Sequence, residues 1–144
     1  MIKYIFNPGN YPSKINFVLL ILRITVGVVM LSHGMAKFSK LFGDEPIMFA
    51  DPIGVGQTAS LALAVFAEVL CSILLIFGIA TRFAAIPLII TMLVAVLIVH
   101  GKDGLDKQEL PLLYLMIYLC IAITGAGKIS IDHWIYHNEA KRNT

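Results

Sequence analysis

The sequence predicts an all-α fold, a transmembrane four-helix bundle, and three observations carry that prediction. Four apolar runs each come close to the ~20 residues a helix needs to cross a bilayer. Hydrophobic residues make up 58% of the 144-residue chain and charged residues 14%, with a mean hydropathy of +0.85, whereas soluble domains are roughly one-quarter charged. None of the runs alternates like a strand, and lipid admits only helices or closed barrels, which satisfy their backbone hydrogen bonds internally. The four spans and their loops use nearly all of residues 1–144, so one membrane domain is expected, with no room for a soluble catalytic domain.

The spans read as residues 15–35, 58–80, 83–99 and 110–125. Ahead of the first, MIKYIFNPGNYPSKIN has Pro and Asn where a signal peptide needs its apolar stretch, so the first span is expected to stay in the mature protein. The loop at 36–57 carries Gly43, Pro46, Pro52, Gly54 and Gly56 among apolar Ile47, Met48, Phe49, Ile53 and Val55. Such a segment is expected to fold back over the outer membrane face and cap an opening between helices. The connection at 78–82 is short enough to force the second and third spans into a tight antiparallel hairpin. Pro87 predicts a mild kink, and Pro111 is placed in the first turn of the fourth span, where a missing N–H is tolerated. Residues 128–136 mix Ile129, Ile131, Trp134, Ile135 and Tyr136 with polar residues and read as an interfacial anchor.

The net charge of +2 is scattered over the loops and leaves no footprint for nucleic acid. Lys3, Lys14, Arg82, Lys128, Lys141 and Arg142 lie on one side, against Lys37, Lys40, Lys102 and Lys107 on the other. Positive charge collects on the cytoplasmic side, which points both termini inward. Cys71 and Cys120 fall inside spans, outside any CxxC or metal-ligand spacing, and read as small hydrophobes, with a redox pair as the alternative. GxGxxG, P-loop, GxSxG and CxxCH motifs are lacking, so no nucleotide, serine-hydrolase or covalent haem chemistry is signalled.

Arg23 and Glu68 sit within spans, where an ionised side chain costs at least ~2.5–3.5 kcal/mol on insertion scales and needs a partner or a task. At 100° per residue Arg23, Gly27, Met30, Gly34 and Lys37 form one stripe of the first helix, with His33 at its edge. The matching stripe of the second is Leu61, Ala64, Glu68, Ser72 and Leu75. The two are expected to meet, with Arg23 ~12 Å and Glu68 ~18 Å from the same membrane face and hence close enough to pair. Such a pair fixes helix register or orients a polar headgroup; both readings are open. His33, Lys37, His100 and Glu109 are expected at one height near the outer ends, where a titratable imidazole at a pocket mouth suits proton-coupled quinone or thiol chemistry. His33, His100 and Glu109 are competent metal ligands, but no HxxH, HxxxH or ExxH spacing links them, and no metal site is assigned. Tyr114 and Tyr118, one turn apart, read as packing residues whose hydroxyls border the same cavity.

LLILRITVGVVMLSHGMAKF (19–38), AEVLCSILLIFGIATRFAA (67–85), VLIVHG (96–101), the Glu109-Leu110 pair and GKISID (127–132), in that order, resemble the DoxX family of small four-helix membrane proteins. The resemblance spans about residues 17–134 and carries the family pattern onto Arg23, His33, Gly34, Lys37, Glu68, Gly78, Thr81, Arg82, His100 and Glu109. It implies a bacterial inner-membrane protein related to the DoxD-type subunit of thiosulfate:quinone oxidoreductase. Most members have no assigned reaction, and the DPIGVG segment (51–56) departs from the usual pattern. The expectation is therefore a membrane component of a quinone-linked thiol or sulfur oxidoreductase. Arg23, Glu68 and Lys37 would bind and His33, His100 and Glu109 exchange protons, with a quinone as the ligand. Its expected partners are the lipid bilayer and either a redox protein or a second copy. A non-catalytic anchor for a soluble partner and a small-solute or lipid transporter are the alternatives.

Overall fold

A computed structural model describes residues 6–142, and within them the chain is helical with no strand. Lys3, counted in the charge asymmetry above, lies outside the described residues. Helix α1 runs Ser13–Leu41, α2 Gln57–Phe77, α3 Thr81–Val99 and α4 Leu105–Thr124, and each is long and apolar enough to cross a membrane. A fifth helix, α5, covers Ile131–Arg142.

Two expected boundaries move. Helix α1 continues six residues past Met35, to Leu41, and so brings Lys37 inside the helix. Helix α4 starts at Leu105, which places Pro111 well inside it instead of in its first turn. The preceding turn is tied down by Gln108, whose side chain donates to the His100 carbonyl at 2.7 Å.

The core lies where α1 to α4 converge: Val26 and Met30, Cys71 and Leu75, Ala85, Leu88 and Met92, and Tyr114, Tyr118 and Ile121 pack together. Helix α1 buries Asn16, Leu19, Arg23, Val26, Gly27, Met30 and Gly34, which includes most of the predicted stripe. Its contact with α2 is close: a Cβ added at Gly34 would lie 2.8 Å from the Glu68 carbonyl carbon. Gly27 meets Ser72 and Ile76, and Arg23 meets Gly78. These three contacts define one antiparallel register in which the numbers of facing residues add to about 102.

That register overturns the predicted Arg23–Glu68 pair. Arg23 faces Gly78, ten residues from Glu68, or ~15 Å along the axis. The pairing assumed that α1 and α2 end at one height. Instead α1 runs on about ten residues past the end of α2, down to Ser13. The space beside that overhang is filled by residues 125–132. Arg23 Nη1 donates to the Ala126 carbonyl and Nη2 to that of Ile129 at 2.9 Å. Asn16 accepts the Lys128 amide at 2.8 Å.

Asp132, 1% exposed, closes the same end. Its carboxylate accepts the amides of Ala80 (2.6 Å) and Thr81 (2.9 Å), while its own amide donates to the Gly78 carbonyl at 2.8 Å. An acid from α5 thus satisfies orphan donors at the start of α3, where the helix dipole also favours negative charge. Gly78 is confined to glycine by a φ of 69° and by Ser130 Cβ and Arg23 Cζ, which a side chain would meet at 2.7 and 2.9 Å. The tail read as an interfacial anchor is therefore, at its start, a buried clamp on the 2–3 hairpin.

Replacing Asp132 by alanine removes two charge-assisted hydrogen bonds and is expected to lower stability by about 3 kcal/mol. Unfolding of the detergent-solubilised protein measures this, and an unchanged midpoint would refute the clamp.

Candidate functional site

At the opposite end from the clamp, α1 to α4 and the 42–56 loop border a cavity of about 770 Å³, within the range of small-molecule sites. Its walls are apolar: Met30, Ala64, Ala67, Pro87, Met92 and Ala95 contribute, with Phe49, Pro52 and Ile53 from the loop. Its polar groups are Lys37, Glu68, His33, His100, Thr91 and Tyr114, with Lys40 and two serines at the margins.

Glu68 is 2% exposed, and its Oε1 accepts a charge-assisted hydrogen bond from Lys37 Nζ. Lys37 is one helical turn beyond Gly34, whose missing side chain lets α1 approach α2 near Glu68. The glutamate lies in a stretch of π-helix, Phe66–Cys71, and a second, Ala95–Val99, ends α3 at the cavity wall. Such wide turns are rare and concentrate at functional sites. Among the described residues Glu68 Oε2 has no partner, nor do the buried hydroxyls of Ser72, one turn along α2, and Tyr118.

Of the six residues expected at the site, the fold brings four together: Lys37, Glu68, His33 and His100 border one cavity. The His33 ring meets Tyr114 edge-on, with centroids 6.4 Å apart, and Tyr118 stacks beneath at 6.1 Å without bordering the cavity. His100 Nδ1 is 2.9 Å from Asp103 Oδ2, a hydrogen bond that holds the Asp103 carboxyl below its ordinary value. Arg23 belongs to the clamp at the far end. Glu109 is exposed and off the cavity wall, because it points ~140° around α4 from Tyr114. Lys37 thus takes the role expected of Arg23.

The loop behaves as expected of a cap, through an acid that sequence reasoning passed over. Asp51 accepts hydrogen bonds from Ser60 Oγ (2.7 Å), the Gly56 amide (2.8 Å) and the Val55 amide (3.0 Å). The signal was available: an Asp before Pro and two glycines, six residues ahead of a helix, is a turn-and-cap pattern. Cys71 is buried and Cys120 exposed on the outer face, both as free thiols, so they form no pair. Among the described residues no group of three or more metal-ligating side chains converges.

The DoxX family model matches residues 18–101, more than half of the chain. The chain belongs to the DoxX family. An uncharacterised protein of Haemophilus influenzae is 35% identical to this DoxX protein over 124 residues, covering 81% of this chain and 90% of its own. A Bacillus subtilis protein named "Putative oxidoreductase CatD" is 26% identical over 125 residues, covering 86% and 91%. An uncharacterised membrane protein of Mycobacterium tuberculosis is 33% identical over 136 residues, covering 77% of each chain. No solved structure matches this DoxX protein significantly.

Two outcomes follow from the geometry. Lys37→Met strands the Glu68 carboxylate and is expected to destabilise the protein by about 3 kcal/mol, whereas Lys37→Met with Glu68→Leu recovers most of that loss; thermal unfolding in detergent compares them. The hydrogen bonds from Ser60, Gly56 and Val55 hold the Asp51 carboxyl below its ordinary value. The closed loop is therefore stabilised above about pH 4 and loses that contribution as pH falls through the lower, folded-state value. Hydrogen exchange at the Gly56 amide, corrected for intrinsic rate, should lose protection as pH falls below about 4, and Asp51→Asn should flatten the profile.

Proposed function

We propose that this DoxX protein is the membrane component of a quinone-linked thiol or sulfur oxidoreductase of the bacterial inner membrane, with both termini in the cytoplasm. The observation that carries the reading is the Lys37–Glu68 ion pair bordering a mostly apolar cavity of about 770 Å³. A headgroup with polar oxygens and an apolar remainder fits that division. Lys37 has N–H donors beyond the one given to Glu68 and can hold a carbonyl oxygen; Met30, Pro87 and Met92 exclude water around a ring. His33 stands on the cavity wall against Tyr114 as a proton donor and acceptor.

A bound quinone supplies the two-electron acceptor, and a partner's thiol pair supplies electrons and protons together: two thiols and a quinone give a disulfide and a quinol. Cys71 is buried and Cys120 exposed, both as free thiols, which supports a thiol pair carried by the partner. The relative named as an oxidoreductase supports the redox class.

Purified protein is expected to bind decylubiquinone, and Lys37→Met with Glu68→Leu to weaken that binding at least ~10-fold, as loss of a charge-assisted hydrogen bond does. Equal affinity of wild type and double variant, both folded, would dismiss the site.

A further inference from the structure

The cavity has two boundaries of different kinds. Toward the loop end it is bordered by a strap: Phe49, Pro52 and Ile53 line it, and Asp51 fastens the strap through Ser60, Gly56 and Val55. Between α2 and α3 there is no such cover. Leu63 and Phe66 on α2 and Ile90 on α3 border the cavity and are also 53%, 48% and 55% exposed on the outer surface. Side chains that face both ways mark the rim of an opening; Ile53, Val99 and Leu110 at the loop end share this exposure, and what distinguishes the α2–α3 side is its depth in the membrane.

The height of that opening decides what it faces. Ile90 lies nine residues from either end of α3, and Phe66 nine residues from the start of α2, each ~14 Å along the helix. The gap therefore opens at mid-membrane, onto hydrocarbon. Its walls suit an apolar occupant: Ala64, Ala67 and Ala95 are small, and the Thr91 hydroxyl is already spent on the Pro87 carbonyl at 2.9 Å. Glu68 lies within the span of the gap, with Lys37 and His33 toward the strapped end.

Resting on the quinone-site reading above, we infer that the site is loaded from the bilayer core. A ligand with a long apolar tail enters sideways between α2 and α3, leaves its tail in the gap and carries its head to Lys37 and Glu68. The Asp51 strap keeps out water-soluble molecules with the same head.

Decylubiquinone and ubiquinone-0, which differ in the tail, separate the routes when their association rates are measured with the full-length protein in nanodiscs, referenced to quinone concentration in the membrane. Ile90→Trp narrows the gap at a lipid-facing position and is expected to slow decylubiquinone at least ~10-fold while leaving ubiquinone-0 unchanged; Asp51→Ala is expected to speed ubiquinone-0 alone. Leu63→Trp, on the opposite rim, repeats the test if Ile90→Trp lowers the thermal midpoint. An unchanged decylubiquinone rate in the folded tryptophan variant, or acceleration of both probes by Asp51→Ala, overturns lateral entry and leaves the quinone site standing. Failure of both probes to bind wild type removes the site and the route together.

Discussion

A carboxylate within the dry part of a bilayer has to be neutralised by the chain that carries it, and the Lys37–Glu68 pair does this for the DoxX protein. The contact constrains much around it. Lys37 reaches Glu68 because α1 remains helical beyond the expected end of its span, and because Gly34 removes the side chain that would hold α1 away from α2. The π-turn at Phe66–Cys71 fits the same constraint, since an extra residue per turn widens the helix and re-aims the side chains that follow. Bringing α1 and α2 together there leaves the space between them and α3 and α4 as the cavity.

Arg23 poses the same problem and meets a different solution. Its guanidinium is capped by backbone carbonyls of residues 126 and 129, beside the Gly78 turn and in electrostatic reach of Asp132. A planar fork of five donors suits convergent carbonyls, whereas the flexible single-headed Lys37 suits one carboxylate oxygen. One stripe of α1 thus carries two charge centres with separate duties: one fastens the chain's last segment to the 2–3 hairpin, and the other borders a cavity.

The sequence made the spans and their buried faces legible, because bilayer thickness and a 3.6-residue period leave little choice. It made the membership of the site partly legible: Lys37, Glu68, His33 and His100 were all named. It did not reveal who pairs with whom. Pairing depends on the axial offset between α1 and α2, and that offset is set by residues 125–132, distant in sequence and packed beside the α1 overhang. Glu109 failed for a simpler reason: its height on α4 was judged without the direction it points. Asp132 escaped because it acts through backbone amides distant in sequence, which leave no mark in a pattern of side-chain types, whereas Asp51 binds locally and its turn-and-cap pattern was legible.

The polar groups near the cavity are hard to account for as devices of stability. Replacing a buried ion pair by well-packed apolar residues is often neutral or stabilising, and each buried polar atom left without a partner costs about 1–3 kcal/mol. Glu68 Oε2 and the hydroxyls of Ser72 and Tyr118 are three such atoms. At the far end of the same bundle, by contrast, Asp132 has both carboxylate oxygens engaged. Buried polar atoms without a partner among the described residues occur at both ends of the bundle, the clamp end holding Arg23 Nε, Thr81 Oγ1, Arg82 Nε and His133 Nδ1; what sets Glu68 apart is that it is a carboxylate left half-satisfied beside an apolar cavity, where a ligand headgroup has the most to gain.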